Sequence, residues 1–283
     1  MNQLQTLLNK YRLLSIVEKL IAINCLVFIL TFAVNTLVYL SGSNGNFIVD
    51  WFSLSSNTSE VIFQPWSILS YGFLHGGFFH LLGNMIVLYY IGNLFVAYFN
   101  PRKLLDFYFY GTAFGGILFL VSYTFFPALK NSDTVLVGAS AAVMAIFVGI
   151  ATHMPNYELR FRFIGFVKLW KLVAIFIVLD IIQIPSSNAG GHLAHLGGAL
   201  FGFFQIYLHG TRIISIQNPF SGLFAKKSTL KTVYKSSAKT KTTKTPDNQQ
   251  VIDAILDKIS KSGYESLNKK EKDILFRQGK NNL

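Results

Sequence analysis

Apolar residues fall in six blocks along this chain, roughly 17–40, 71–98, 104–127, 137–154, 167–184 and 191–209, with polar stretches between them. A helix needs about 20 residues to cross a hydrocarbon core. The pattern therefore predicts an all-α membrane protein with a bundle of six transmembrane helices. Pro101, Pro127, Pro155 and Pro185 lie at block ends, where a missing N–H costs least. Ahead of the first block, Leu4, Leu7, Leu8, Tyr11 and Leu14 recur at helical spacing, with Lys10 and Arg12 between them. This predicts a cytoplasmic interfacial helix over 1–16. The stretch is too polar for a signal peptide, so the first block is read as a retained span.

The pattern changes after the sixth block. The bundle is expected over 17–210 and a basic, flexible linker over 211–246, rich in Lys, Ser and Thr. Residues 247–283 regain helical periodicity through Val251, Ile252, Ile255, Leu256 and Ile259. Ser262-Gly263 marks a turn, and Asn268 with Glu271 reads as a capping box. The result is a small cytoplasmic helical hairpin. It is short for an independent core and is expected to dock on the bundle or on a partner the sequence does not identify.

Composition agrees with a lipid-solvated chain: 52% of its 283 residues are hydrophobic and 13% charged, against about 25% charged in soluble domains. The net charge of +12 does not mark a nucleic-acid binder, because 15 of the 25 Lys and Arg lie between Arg212 and Lys280. The others fall mainly in short connections. With six spans and cytoplasmic termini, only Lys130 lies on the outer side. That asymmetry sets the orientation of an integral membrane protein. The loop 41–66, free of Lys and Arg, is then external, with Asp50, Trp51, Phe52, Phe63 and Trp66 suited to the interface. The single cysteine, Cys25, excludes a disulfide framework within the chain.

Polar residues inside apolar spans are costly and call for a function. Ser140 lies three or four residues into span four, and His195 four or five into span six. Both spans run inward, so at 1.5 Å per residue both side chains sit about 5–8 Å below the outer edge. Span two, also inward, adds His75, His80 and Asn84, the last two one turn apart. A histidine can take the proton of a serine hydroxyl and return it to a leaving amine. His80, Asn84 and the N–H of Ser140 are candidate donors to an oxyanion. Ala141, Ala145 and Gly149, facing Gly198 and Gly202, would let spans four and six approach closely. His75 is expected to bond the first loop to span two, and His192 to be a partly wet residue beside the cavity. Asp180, the one acid in the outer half of span five, is expected to line that cavity or bond to a loop, with orientation of His195 as a third member the less favoured alternative. Ser70, Tyr71, Gln183, Ser186, Ser187 and Asn188 would help admit water. No His-Glu-x-x-His occurs, and no carboxylate lies near the cluster in span two or six, so no metal is expected.

These residues lie in recognisable strings. Gln64-Pro65-Trp66 is followed by Phe73-Leu74-His75-Gly76-Gly77-Phe78-Phe79-His80-Leu81-Leu82-Gly83-Asn84-Met85. Gly138-Ala139-Ser140 and Ala194-His195-Leu196-Gly197-Gly198 come later, in that order. Over 60–210 the chain resembles the rhomboid family of intramembrane serine proteases. The resemblance implies Ser140 as nucleophile, His195 as base, and His80 and Asn84 as oxyanion donors. It also implies a two-residue machinery without a third acid, no cofactor, and single-span transmembrane proteins as substrates within membrane lipid. The chain departs from the family at Ala141, where glycine is frequent. A rhomboid-like protein that binds or escorts membrane clients without cleaving them is the rival expectation, although such proteins typically lack the serine or the histidine. A transporter is the second rival, but no inverted repeat is evident.

Overall fold

A computed structural model describes residues 3–280 apart from 44, 131, 187 and 211–246. The expected linker thus lies outside the described residues. The chain divides into two compact units, Met1–Ala225 and Lys226–Leu283.

The first unit is mostly helical. A short helix α1 (Gln3–Leu13) precedes α2 (Ile16–Leu40). The break between them is a capping box: the Ser15 N–H donates to Glu18 Oε2 at 2.7 Å, and the Glu18 N–H to Ser15 Oγ at 3.2 Å. The first loop folds into α3 (Phe47–Phe52), β1 (Leu54–Ser55), α4 (Thr58–Phe63), α5 (Ser67–Ser70) and a 3-10 turn, Tyr71–Phe73. Then come α6 (Phe78–Tyr98), α7 (Pro101–Phe125), β2 (Val135–Leu136) and α8 (Ser140–His153). A hairpin of β3 (Glu158–Phe161) and β4 (Gly165–Lys168) leads to α9 (Leu169–Gln183) and α10 (Ala189–His209).

Three helices, α2, α6 and α7, are long and apolar enough to cross a membrane. The others on apolar blocks are shorter or richer in Gly and His. Block two begins not as a helix but as the 3-10 turn, and α6 starts only after the extended Gly77. Block four starts as an irregular stretch, 137–139, that follows directly on β2, and β2 pairs with β1 through Leu54↔Leu136 and Ser55↔Val135.

That shortening positions the chemistry. At 14 residues α8 is about 21 Å long, well under the roughly 30 Å of a hydrocarbon core. Every residue from Ala141 to Ala151 is buried, so α8 is the bundle's centre, with α6, α7, α9 and α10 packed around it. Its first residue therefore lies inside the bundle. Close approach comes from small residues. A side chain at Gly198 would strike the Ala141 carbonyl, and one at Gly202 the Ala145 carbonyl. The expected third member of the stripe does not join: Gly149 faces the Phe107 ring of α7 instead. Ala141 fits because Gly115 of α7 lies opposite its methyl group. Buried polar groups link the outer helices. Asn24 of α2 donates to Tyr108 OH at 2.9 Å, and Tyr108 OH to the Gly72 carbonyl at 3.0 Å.

The second unit contains α11 (Asp247–Ser262), a 3-10 turn at Tyr264–Ser266 and α12 (Lys269–Lys280). The expected capping box is present: the Asn268 N–H donates to Glu271 Oε2 at 2.8 Å and the Glu271 N–H to Asn268 Oδ1 at 2.9 Å. Lys258 of α11 donates to both carboxylate oxygens at 3.0 Å. The Asn268 N–H first, and the Lys258 ammonium after it, hold the Glu271 carboxyl below its ordinary value of 4.5. A depressed folded-state value means that the contribution is complete above the ordinary value and is lost as pH falls through the depressed one. Protection of the amides at the start of α12 in the full chain, taken as the ratio of the unfolded-chain exchange rate to the observed rate at the same pH, should therefore fall on acidification below about pH 4.5, and less so in Glu271→Gln.

Candidate active site

Ser140 is the first residue of α8, preceded by Ala139, which supplies no side-chain cap. The first N–H groups of α8 thus point into the space above the helix, where they and the helix dipole favour negative charge. Two features bring the chain to this point. The Gly138 N–H donates to the Tyr71 carbonyl at 3.0 Å. Gly138 itself has φ +132°, a conformation that disfavours side chains, and a Cβ there would lie 2.8 Å from the His80 ring. Glycine is thus required twice over, and its absence of a side chain lets His80 sit beside the serine.

His195 comes from α10, whose start is capped by Asn188 in a left-handed conformation, its Oδ1 accepting from the Gly191 N–H at 3.2 Å. His195 Nε2 lies 2.7 Å from Ser140 Oγ. The two residues that helical depth placed at one level, 55 positions apart in sequence, are hydrogen-bond neighbours. Their side chains are partly accessible.

His80 and Asn84 occupy successive turns of α6. Asn84 is buried, and its Nδ2 donates one hydrogen to the His80 carbonyl at 2.9 Å, which leaves its second N–H for another acceptor. His75 is buried, its ring edge-on to that of His80 at 5.2 Å. The expected bond from His75 to the first loop is not formed among the described residues, where neither ring nitrogen has a hydrogen-bond partner.

Three further expectations are corrected. His192 is not a wet interfacial residue but is 9% exposed. Asp180 neither lines an open cavity nor bonds to a loop. Its Oδ1 lies 2.8 Å from Nδ1 of both His192 and His195. The reason is rotational: α9 turns its Leu169, Val173 and Asp180 face inward, and Asp180 with it. Tyr71 does not admit water, being buried with its hydroxyl donating to the Thr112 carbonyl at 2.7 Å. Ser187 lies outside the described residues.

Asp180, His192 and His195 are also the one group among the described residues with the make-up of a metal site, their ligand atoms lying within 4.8 Å of one another. The hydrogen bonds to Asp180 Oδ1 account for both Nδ1 atoms. His153 and His209, at the far ends of α8 and α10, are remote from this cluster.

Comparison with known proteins adds a family. Residues 63–212 match the Rhomboid domain, and residues 239–281 match a family of unknown function (DUF6576). The chain is 31% identical over 154 residues to "Rhomboid-related protein 1" of Caenorhabditis elegans, covering 51% of this chain and 40% of that protein. It is 30% identical over 144 residues to "RHOMBOID-like protein 12, mitochondrial" of Arabidopsis thaliana, covering 47% and 43%. With "Presenilin-associated rhomboid-like protein A, mitochondrial" of Danio rerio it shares 29% over 163 residues, covering 56% and 41%. The matched part spans about four-tenths of the length of these relatives.

Proposed function

This chain belongs to the rhomboid family of membrane proteins, and from that premise we propose that it is an intramembrane serine endopeptidase acting through Ser140 and His195. The observation that carries this reading is the 2.7 Å contact between Ser140 Oγ and His195 Nε2. In the proposed reaction Nε2 takes the hydroxyl proton as Oγ attacks the scissile carbonyl. The Ser140 N–H, with the side chains of His80 and Asn84, donates to the resulting oxyanion. His195 then protonates the leaving amine, and water hydrolyses the acyl-enzyme by the reverse proton path. Substrates are single-span transmembrane proteins, cut near the outer membrane face.

We also read all six apolar segments as crossing the membrane, from residue 17 to 210, with both termini in the cytoplasm of a bacterial plasma membrane. The support is the basic residues, 24 of 25 of which fall on one side in that arrangement. The hairpin over 247–283 is read as an appendage that docks on the bundle or on an unidentified partner.

The decisive experiment is labelling of the membrane-embedded chain with a fluorophosphonate, mapped by peptide mass. Modification of Ser140 that disappears in His195→Ala supports the peptidase. Absence of labelling, with client binding retained in Ser140→Ala, would instead indicate an escort protein. The oxyanion assignment makes its own prediction. His80→Ala and Asn84→Ala should each lower kcat by about 10²-fold, with KM little changed, because their donors act on a charge that exists only in the transition state. Turnover assays in proteoliposomes check it.

A further inference from the structure

Asp180 is the acid that the two-residue machinery leaves unused. It is 5% exposed and lies on a helix whose neighbouring residues, Val178, Leu179, Ile181 and Ile182, are 46–62% exposed. An ionised carboxylate inside a membrane bundle is costly without hydrogen bonds. Asp180 receives two, both at Oδ1 and both 2.8 Å long, from Nδ1 of His192 and Nδ1 of His195. Oδ2 is buried without a hydrogen-bond partner among the described residues. His192 and His195 are three residues apart and so share one face of α10.

We infer that Asp180 is a positioning residue for the proposed peptidase, held in place by His192, which keeps His195 in its Nδ1–H form with the Nε2 lone pair aimed at Ser140. The inference rests on the peptidase reading for its catalytic consequence, though not for its geometry.

The argument runs through proton positions. A carboxylate only accepts, so each Nδ1 facing Oδ1 must carry the hydrogen. In neutral His195 the other nitrogen is then an acceptor, and it is this nitrogen that lies 2.7 Å from Ser140 Oγ. The opposite tautomer would present an N–H to the serine and could not take its proton. The carboxylate also stabilises the imidazolium formed during attack. His192 supplies a second N–H to the same oxygen from the adjacent turn. That contact fixes the carboxylate whether or not His195 is engaged.

The test uses the full chain in liposomes, with nitrogen-15 histidine spectra recorded beside turnover of a single-span substrate. Asp180→Asn should lower kcat by on the order of 10²- to 10⁴-fold with KM within about threefold, and the His195 Nδ1–H resonance should be lost. Leu179→Ala, at the neighbouring position on the exposed side of α9, should keep kcat within about fivefold of wild type. A folded Asp180→Asn protein with kcat within about threefold of wild type would overturn the assignment. So would an equal loss in both variants, which would mean general repacking. If Asp180→Asn does not fold, the wild-type spectrum decides: His195 protonated at Nε2 rather than Nδ1 refutes the inference. The same spectrum separates the two claims, because a chain that never labels at Ser140 defeats the peptidase while leaving the His195 tautomer measurable.

Discussion

Ser140→Ala will reduce cleavage of a single-span substrate by about 10⁴- to 10⁶-fold, with substrate binding nearly unchanged. The hydroxyl is the group that His195 Nε2 meets at 2.7 Å, and its removal takes away the atom that would form the acyl-enzyme. Residual turnover would come from the oxyanion donors acting on attack by water. Stability should barely move. Ser140 is partly accessible and its hydroxyl caps no helix, so no buried backbone group loses a partner. The measurement is kcat and KM in proteoliposomes beside a thermal unfolding curve. A variant with a wild-type melting curve and more than a few per cent of wild-type turnover would place the nucleophile elsewhere.

Much of this site was legible from spacing alone, for a physical reason. Depth along a helix is counted at 1.5 Å per residue, so Ser140 and His195, each a few residues into an apolar block, were expected at one level if the two blocks run in the same direction. Small residues at 198 and 202 then indicated contact with the helix that starts at Ser140, and the Gly198 and Gly202 contacts with Ala141 and Ala145 bear that out. What depth cannot supply is rotation. On an apolar helix such as α9, nothing local tells whether Asp180 faces a wet hollow or two imidazoles. The answer depends on the turn of α9 against α10, which packing across both helices decides. Gly149 failed for the same reason: its spacing continued the small-residue stripe, but its direction was toward Phe107 of α7. The two-residue strands β1 and β2 were illegible because so short a pairing has no period to detect. Yet they help set where α8 begins, and so how deep Ser140 lies.

The second large effect is expected at a residue with no chemistry. Gly198→Ala should destabilise the folded bundle by about 1–3 kcal/mol or more, and Gly198→Val further. The added Cβ would meet the Ala141 carbonyl and its Cα, which are backbone atoms of the helix that starts at Ser140. A flexible side chain could swing aside, but this backbone can yield only by shifting α8 or α10. Ala141 has little room to retreat, since its methyl group already lies against Gly115 of α7. Any separation of α8 from α10 therefore moves Ser140 from His195. A displacement of about 1 Å in a reacting pair can cost on the order of 10²-fold in rate. Gly198→Ala should thus lower the unfolding temperature and kcat together, whereas Ser140→Ala lowers kcat alone. Gly83→Ala is the control, because a Cβ there meets nothing within 4 Å, and alanine is the better helix former. It should leave the unfolding temperature unchanged or raise it. A Gly198→Ala protein with both a wild-type melting curve and wild-type turnover would mean that the close approach of α8 and α10 is not what holds the serine against the histidine.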